Sequence, residues 1–309
     1  MRISSAYAFE TSLNNLQRRQ SQLTEAQEQL TSGKRVRKPS DDPAAAAAAE
    51  RALAAEARAT AHLRALNESR NAMQQTESAL GDAGDLMQRA RELMVAAGNG
   101  TFGDSERRSL AEALRGIRDD LLAVANRGDG AGRYLFGGQG SDQPPLRDAP
   151  GGVVYDGAVG QLNAAAGEVT PLSIDGAAVF LQAPDPSSPG GTVSVFNAMD
   201  TAINELLTPG RPSADVALTV SNAITQFGAV QGNFSGWRAR AGEALNRADG
   251  IESRLGQRQI DAQRDRSAAE DLDLVAAISD FQSKQTGYDA ALKTYSLVQR
   301  MSLFDYMKT

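Results

Sequence analysis

The sequence predicts a mainly α protein: a long helical bundle whose terminal helices form a coiled coil, with a small β-rich insertion domain in the middle. Three observations carry this expectation. Apolar residues recur at alternating steps of three and four over long stretches at both ends of the chain, the spacing that places them on one stripe of a helix. The 309 residues include 52 alanines, so larger apolar side chains are scarce, and long helices with narrow seams suit the chain better than a thick globule. Between residues 128 and 195, Gly, Pro and Asp become frequent and short β-like runs replace the helical period.

The first seam runs Ala6, Phe9, Leu13, Leu16, Gln20, Leu23, Gln27, Leu30, and Thr31-Ser32-Gly33 reads as its stop. A second helix starts at Asp42-Pro43, where the carboxylate can cap free N–H groups and proline at the first helical position loses no bond. Six alanines, 44 to 49, favour its continuation. Its seam is Leu66, Ser69, Met73, Thr76, Leu80, Ala83, Met87, Ala90, Met94 and Ala97, alternating large and small residues so that a neighbour can approach closely, and Gly98-Asn99-Gly100 ends it. A third helix begins near Asp104 or Ser105 and carries Leu110, Leu114, Ile117, Leu121 and Val124.

In the middle, Arg133-Tyr134-Leu135-Phe136, Val153-Val154-Tyr155 and the run from Thr192 to Phe196 read as strands between turn signals such as Asp129-Gly130, Asp156-Gly157 and Asp175-Gly176. A short helix with Phe196, Met199, Ile203 and Leu206 leaves this region and stops at Pro209-Gly210. The longest seam follows: Val216, Val220, Ala223, Phe227, Val230, Phe234, Trp237, Ala241, Ala244, Ala248, Ile251, Leu255. Its register breaks across the polar stretch 256–271 and restarts as Leu274, Ile278, Phe281, Gln285, Tyr288, Leu292, Tyr295, Gln299, Ser302, Tyr306.

This layout is symmetric about the insertion, so a chain that goes out and returns pairs its first helix with its last. The expected division is a terminal coiled-coil assembly domain (1–40 and 270–309), a helical rod domain (41–140 and 195–269) and a β-rich variable domain (141–194). Thin seams bury little area and leave long terminal helices marginal alone. They gain most by packing against copies of themselves, which points to an assembly subunit. Gln at several seam positions costs stability but can set register and partner choice.

The chemistry that the composition excludes is broad. There is no cysteine, hence no disulfide framework, thiol catalysis or Cys-ligated metal. A net charge of −6 argues against a nucleic-acid partner. No segment approaches the ~20 apolar residues of a membrane span, and the N-terminus lacks the apolar core of a secretory signal. The one histidine, His62, sits in an Ala- and Arg-rich stretch with no local partner and reads as an ordinary helical residue. Gly128 to Gly132 lacks the spacing of a nucleotide-binding loop and reads as a turn. The methionines at 73, 87 and 94 read as seam packing, and Asp41-Asp42 as capping in preference to a cation site. The basic run Lys34-Arg35-Val36-Arg37-Lys38 reads as a solvated loop in preference to an anionic-partner site. No catalytic, cofactor or metal constellation is found, and an enzyme is not expected.

Several of these motifs together resemble the hook–filament junction family of the flagellin superfamily. They are the start Met1-Arg2-Ile3-Ser4, Leu30 to Val36 followed by Pro39 to Pro43, Asn99-Gly100-Thr101, Asp129-Gly130 leading to Gly132 to Gly138, the stretch Gly236 to Leu245, and Met301 to Phe304 near the end. The resemblance covers about 1–140 and 195–309; the middle is similar in outline only, through Val154 to Gly157 and Gly176 to Phe180. It implies a structural subunit of the bacterial flagellum that forms the layer linking hook to filament and supports filament growth. It also implies export through the flagellar type III apparatus without a cleaved signal, an extracellular location, and no cofactor. The implied partners are copies of the chain, another hook-associated junction protein, flagellin, and an export chaperone on the C-terminal helix. Neither nucleic acid nor membrane is among them. The terminal helices would pair only when subunits pack, through Leu13, Leu16, Leu23 and Leu30 with Leu274, Ile278, Phe281, Tyr288, Leu292 and Tyr295. A filament flagellin is the alternative; a surface adhesin gripping a ligand with the β-rich middle is a more distant one.

Overall fold

The computed structural model describes residues 2–141, 143–164 and 168–307, with side chains at 7, 9–141, 143–164 and 168–297. Ala6, Gln299, Ser302 and Tyr306, at the outer ends of the terminal seams, lie outside the described side chains, as does the motif at 301–304. The order of elements is α1 (Arg2–Ser32), α2 (Pro43–Ala97), α3 (Asp104–Ala125), β1 (Leu146–Ala149), β2 (Gly152–Tyr155), a π-helical turn (Ala177–Leu181), β3 (Ala183–Pro184), β4 (Thr192–Val193), α4 (Val195–Leu207), α5 (Ser213–Glu270) and α6 (Leu274–Met307). The chain divides into two compact units. One comprises Met1–Ala59 and Gln257–Thr309, the other Thr60–Gly256.

The unit Thr60–Gly256 is built on the seams. Every residue of the α2 seam from Leu66 to Ala97 is buried. Its two hydroxyl positions are satisfied internally: Thr76 Oγ1 donates to the Ala72 carbonyl at 2.8 Å and Ser69 Oγ to the Pro171 carbonyl at 2.6 Å. The α5 seam is buried from Val216 to Phe234, α3 contributes Ala111, Leu114, Leu121 and Val124, and α4 contributes Phe196, Met199, Ile203 and Leu206. Near the other end, Leu66 meets Ala248, Ile251 and Leu255, and Arg70 donates to Asp249 and Glu252 across the same pair of helices. The helix starts follow local chemistry. The Glu106 carboxylate accepts from the Gly103 N–H at 3.0 Å before α3, and Ser194 Oγ accepts from the Asn197 N–H before α4.

The β-rich segment forms two antiparallel hairpins, β1–β2 with Leu146 opposite Tyr155 and β3–β4 with Ala183 opposite Val193. It packs onto the helical core through aromatic rings. Phe180 lies 4.9 Å from Phe136, 5.3 Å from Phe234 on α5 and 6.4 Å from Phe196 on α4, centroid to centroid. Arg118 on α3 clamps the first hairpin, donating to Asp148 on β1 and, through Nε at 2.7 Å, to Asp200 on α4. Its guanidinium also sits 5.8 Å from the Phe196 ring centre.

Three local expectations change. Arg133 to Phe136 is not a strand: it is a turn sequence with one bridge, Gly128 to Tyr134, and it drops Leu135 and Phe136 into the core. The flanking glycines have left-handed φ, and at Gly138 (φ +65°) a Cβ would collide with the Ala158 carbonyl, so the backbone cannot stay extended. The run ending at Phe196 is extended only to Val193, since Ser194 caps a helix there. Finally, the α5 seam stops at Leu255 but the helix runs on to Glu270. Its polar residues are good helix formers, and Glu56 on α2 accepts from Gln263 at 3.2 Å and from Arg266 at 2.9 Å.

Candidate assembly interface

The terminal helices α1 and α6 lie in the unit Met1–Ala59 with Gln257–Thr309, packed against each other in opposite directions. Three points along their length show it. The Leu272 N–H donates to the Gly33 carbonyl at 3.0 Å, the Arg19 guanidinium lies against Gly287, and the rings of Phe9 and Tyr295 are 5.6 Å apart. The expectation that these helices pair only between subunits is therefore corrected: one thin seam on each suffices for an antiparallel contact within a single chain.

That contact covers the seams incompletely. Leu13, Leu16, Leu23 and Leu30 on α1 and Phe281, Tyr288 and Tyr295 on α6 are half-buried. Leu274, Ile278 and Leu292 remain 54%, 49% and 39% exposed, and Val275 and Leu297 are more exposed still. Tyr7 and Phe9 on α1 are exposed too. A run of unburied large apolar side chains along one element is the signature of an interaction surface. The seam glutamines Gln20, Gln27 and Gln285 are all exposed in the single chain.

At the inner end of the pair, the basic run is tied down rather than free. Lys34 Nζ pairs with Glu270 at 3.0 Å, Arg35 with Asp42 at 3.2 Å and Arg37 with Glu28. Asp41 accepts from the Lys38 and Arg37 N–H groups at 2.9 and 3.1 Å. These backbone bonds, together with the nearby Arg37 and Lys38 charges, hold its carboxyl below the usual carboxylate range. Asp42 caps α2, accepting from the Ala45 N–H at 3.0 Å. Its carboxyl is held low by that bond first and by Arg35 second. The pairings with Glu28 and Asp42 are close in sequence; the one with Glu270 has no sequence signal, and sequence reasoning missed it.

The other features singled out in the sequence are structural. Gly128 to Gly132 forms a turn in which Asp129 accepts from the Ala131 and Arg133 N–H groups at 2.8 and 3.1 Å. Met73, Met87 and Met94 are buried seam residues and His62 is half-buried. Among the described residues no helix is long and apolar enough to cross a membrane.

Comparison with known proteins bears on this architecture directly. Residues 3–141 match the model of the bacterial flagellin N-terminal helical region. Over 317 aligned residues the chain is 31% identical to flagellar hook-associated protein 3 of Salmonella typhimurium, covering 98% of this chain and 99% of that protein. The chain belongs to the flagellar hook-associated protein 3 family. The family's fold is shared as well: a flagellar hook-associated protein 3 from Legionella pneumophila superposes with a TM-score of 0.63 at 17% identity, over 70% of this chain and 97% of that one. Likeness to flagellin itself is partial beside this family match. A phase 1 flagellin of Salmonella naestved is 36% identical over 114 residues, 37% of this chain and 23% of the flagellin.

Proposed function

We propose that this chain is the structural subunit of the layer that joins the flagellar hook to the filament, and that filament growth and motility depend on it. The observation that carries the reading is the end-to-end match to a protein named flagellar hook-associated protein 3; the flagellin match, by contrast, stops after about a third of the chain. The work of such a subunit is mechanical. Helix seams form contacts between copies, and no substrate is turned over.

In this reading 1–40 with 270–309 is the assembly domain, 41–140 with 195–269 the rod and 141–194 the variable part. The exposed residues of α6, Leu274, Ile278 and Leu292, together with the half-buried side chains facing them, become covered by neighbouring copies. Further partners are another hook-associated junction protein on one side and flagellin on the other, with an export chaperone holding the C-terminal helix beforehand. The subunit works outside the cell, delivered by the flagellar type III apparatus without a cleaved signal.

A clean deletion tests this, read by electron microscopy of the cell surface and by assaying flagellin in the culture medium. Bare hooks with flagellin lost to the medium are expected. Bare hooks with no flagellin in the medium would make this chain the filament subunit instead, and normal filaments would overturn both readings.

A further inference from the structure

The connector 33–42 does more than link α1 to α2: it also caps the far end of α5. The last carbonyls of a helix have no partner within it. Here the Ala269 carbonyl accepts from Arg35 Nη2 at 2.8 Å, across 234 positions of sequence. The Glu270 carbonyl accepts from the N–H groups of Arg35 and Val36 at 2.7 and 3.3 Å. The same guanidinium donates through Nη1 to Asp42 Oδ2 at 3.2 Å, while Asp42 Oδ1 accepts from the Ala45 N–H in the first turn of α2. One side chain thus ties the C-terminal end of α5 to the N-terminal end of α2. Each charge also suits its helix dipole, a cation at a C-terminus and a carboxylate at an N-terminus.

Little else holds this joint. Ala26 and Val36 are the only buried side chains among the described residues before Pro43. The remaining support is polar, from Lys34 with Glu270 and Arg37 with Glu28. The side chains of Arg35 and Asp42 are 47% and 37% exposed, so salt screens their attraction. We infer that Arg35 is the pin of an electrostatic latch, coupling fraying at the start of α2 to fraying at the end of α5, so that loss of this one charge frees both ends together. Because α1 and α6 depart from this joint, the latch also sets how firmly they are held in a single chain. The inference concerns the isolated subunit and stands apart from its place in the flagellum.

Hydrogen exchange on the purified full-length chain tests it, comparing peptides from 43–50 and 263–270 with peptides from α3. Arg35→Gln is expected to speed exchange at both ends by roughly threefold or more while α3 stays unchanged. In the parent chain, raising salt from about 0.1 to about 1 M, which shortens the screening length from roughly 10 to 3 Å, is expected to do the same. That salt effect shrinks in Arg35→Gln. Asp42→Asn keeps an oxygen for the Ala45 N–H but removes the charge, so it must loosen the α5 end as well as its own. Four results would overturn the latch: either variant affecting only its own side of the joint, parent ends indifferent to salt, a salt effect undiminished in Arg35→Gln, or a loosening that extends to α3.

Discussion

Replacing Phe180 by alanine tests whether the β-rich segment and the helices of Thr60–Gly256 share one core. The Phe180 ring is fully buried and has close edge-to-face neighbours in Phe136 from the segment itself and Phe234 from α5. A buried Phe removes on the order of 150 Å² from water, which at about 25 cal/mol per Å² amounts to roughly 4 kcal/mol, less about 0.8 kcal/mol for the carbon that alanine keeps. The two ring contacts add about 1 kcal/mol. A loss of about 4 kcal/mol results, inside the ~3–5 kcal/mol typical of Phe-to-Ala changes in cores. For a unit of this size that corresponds to a midpoint lower by roughly 8–16 °C. Thermal unfolding followed by hydrogen exchange or limited proteolysis reads the outcome in separate peptides. Because Phe180 links the segment to α4 and α5, peptides from 146–193, α4 and α5 should lose protection together. If 146–193 became cleavable while α4 and α5 kept their midpoint, the shared core would be refuted.

Three further outcomes follow from particular contacts. The Arg118 hydrogen bond holds the Asp148 carboxyl below its ordinary value of 3.8 despite partial burial, so this group stabilises the fold above that pH and its contribution is lost as pH falls below it; Asp148→Asn should flatten the acid limb of the stability curve measured by urea unfolding. Burial first, and the nearby Asp175 charge second, push the Tyr155 phenol up from 10.0 to about 12. The unfolded chain therefore loses that proton first, stability falls as pH rises from 10 to about 12, and Tyr155→Phe should remove the fall. Leu292→Glu changes a side chain already 39% exposed, so the purified subunit should keep its stability within about 0.5 kcal/mol while cells carrying it lose most filaments; normal filaments on those cells would remove Leu292 from the assembly surface.

What the sequence by itself determined was local and periodic. The α2 seam could be read off because 3.6-residue periodicity decides which side chains share a face, and all ten of its residues are buried. The start of α2 was legible for a similar reason, since Asp42 needs only the N–H of Ala45 three residues on. The continuation of α5 past Leu255 was not: its seam disappears there, and the support comes from Glu56 on another helix. Nor was the fate of Leu135 and Phe136, whose alternation suits a strand but whose place is set by a core that Phe180 completes. At the candidate interface the seam residues could be named in advance. How far each is covered could not, because α1 and α6 meet only once the chain has returned on itself, leaving Tyr288 half-buried and Ile278 exposed on the same helix. The joint at Arg35 was the least legible feature. A charge run carries no mark of its partners, and those of Arg35 include a carbonyl 234 positions away. Periodicity and capping act within a turn or two of helix, whereas ion pairs and shared cores depend on which distant segments the fold brings together.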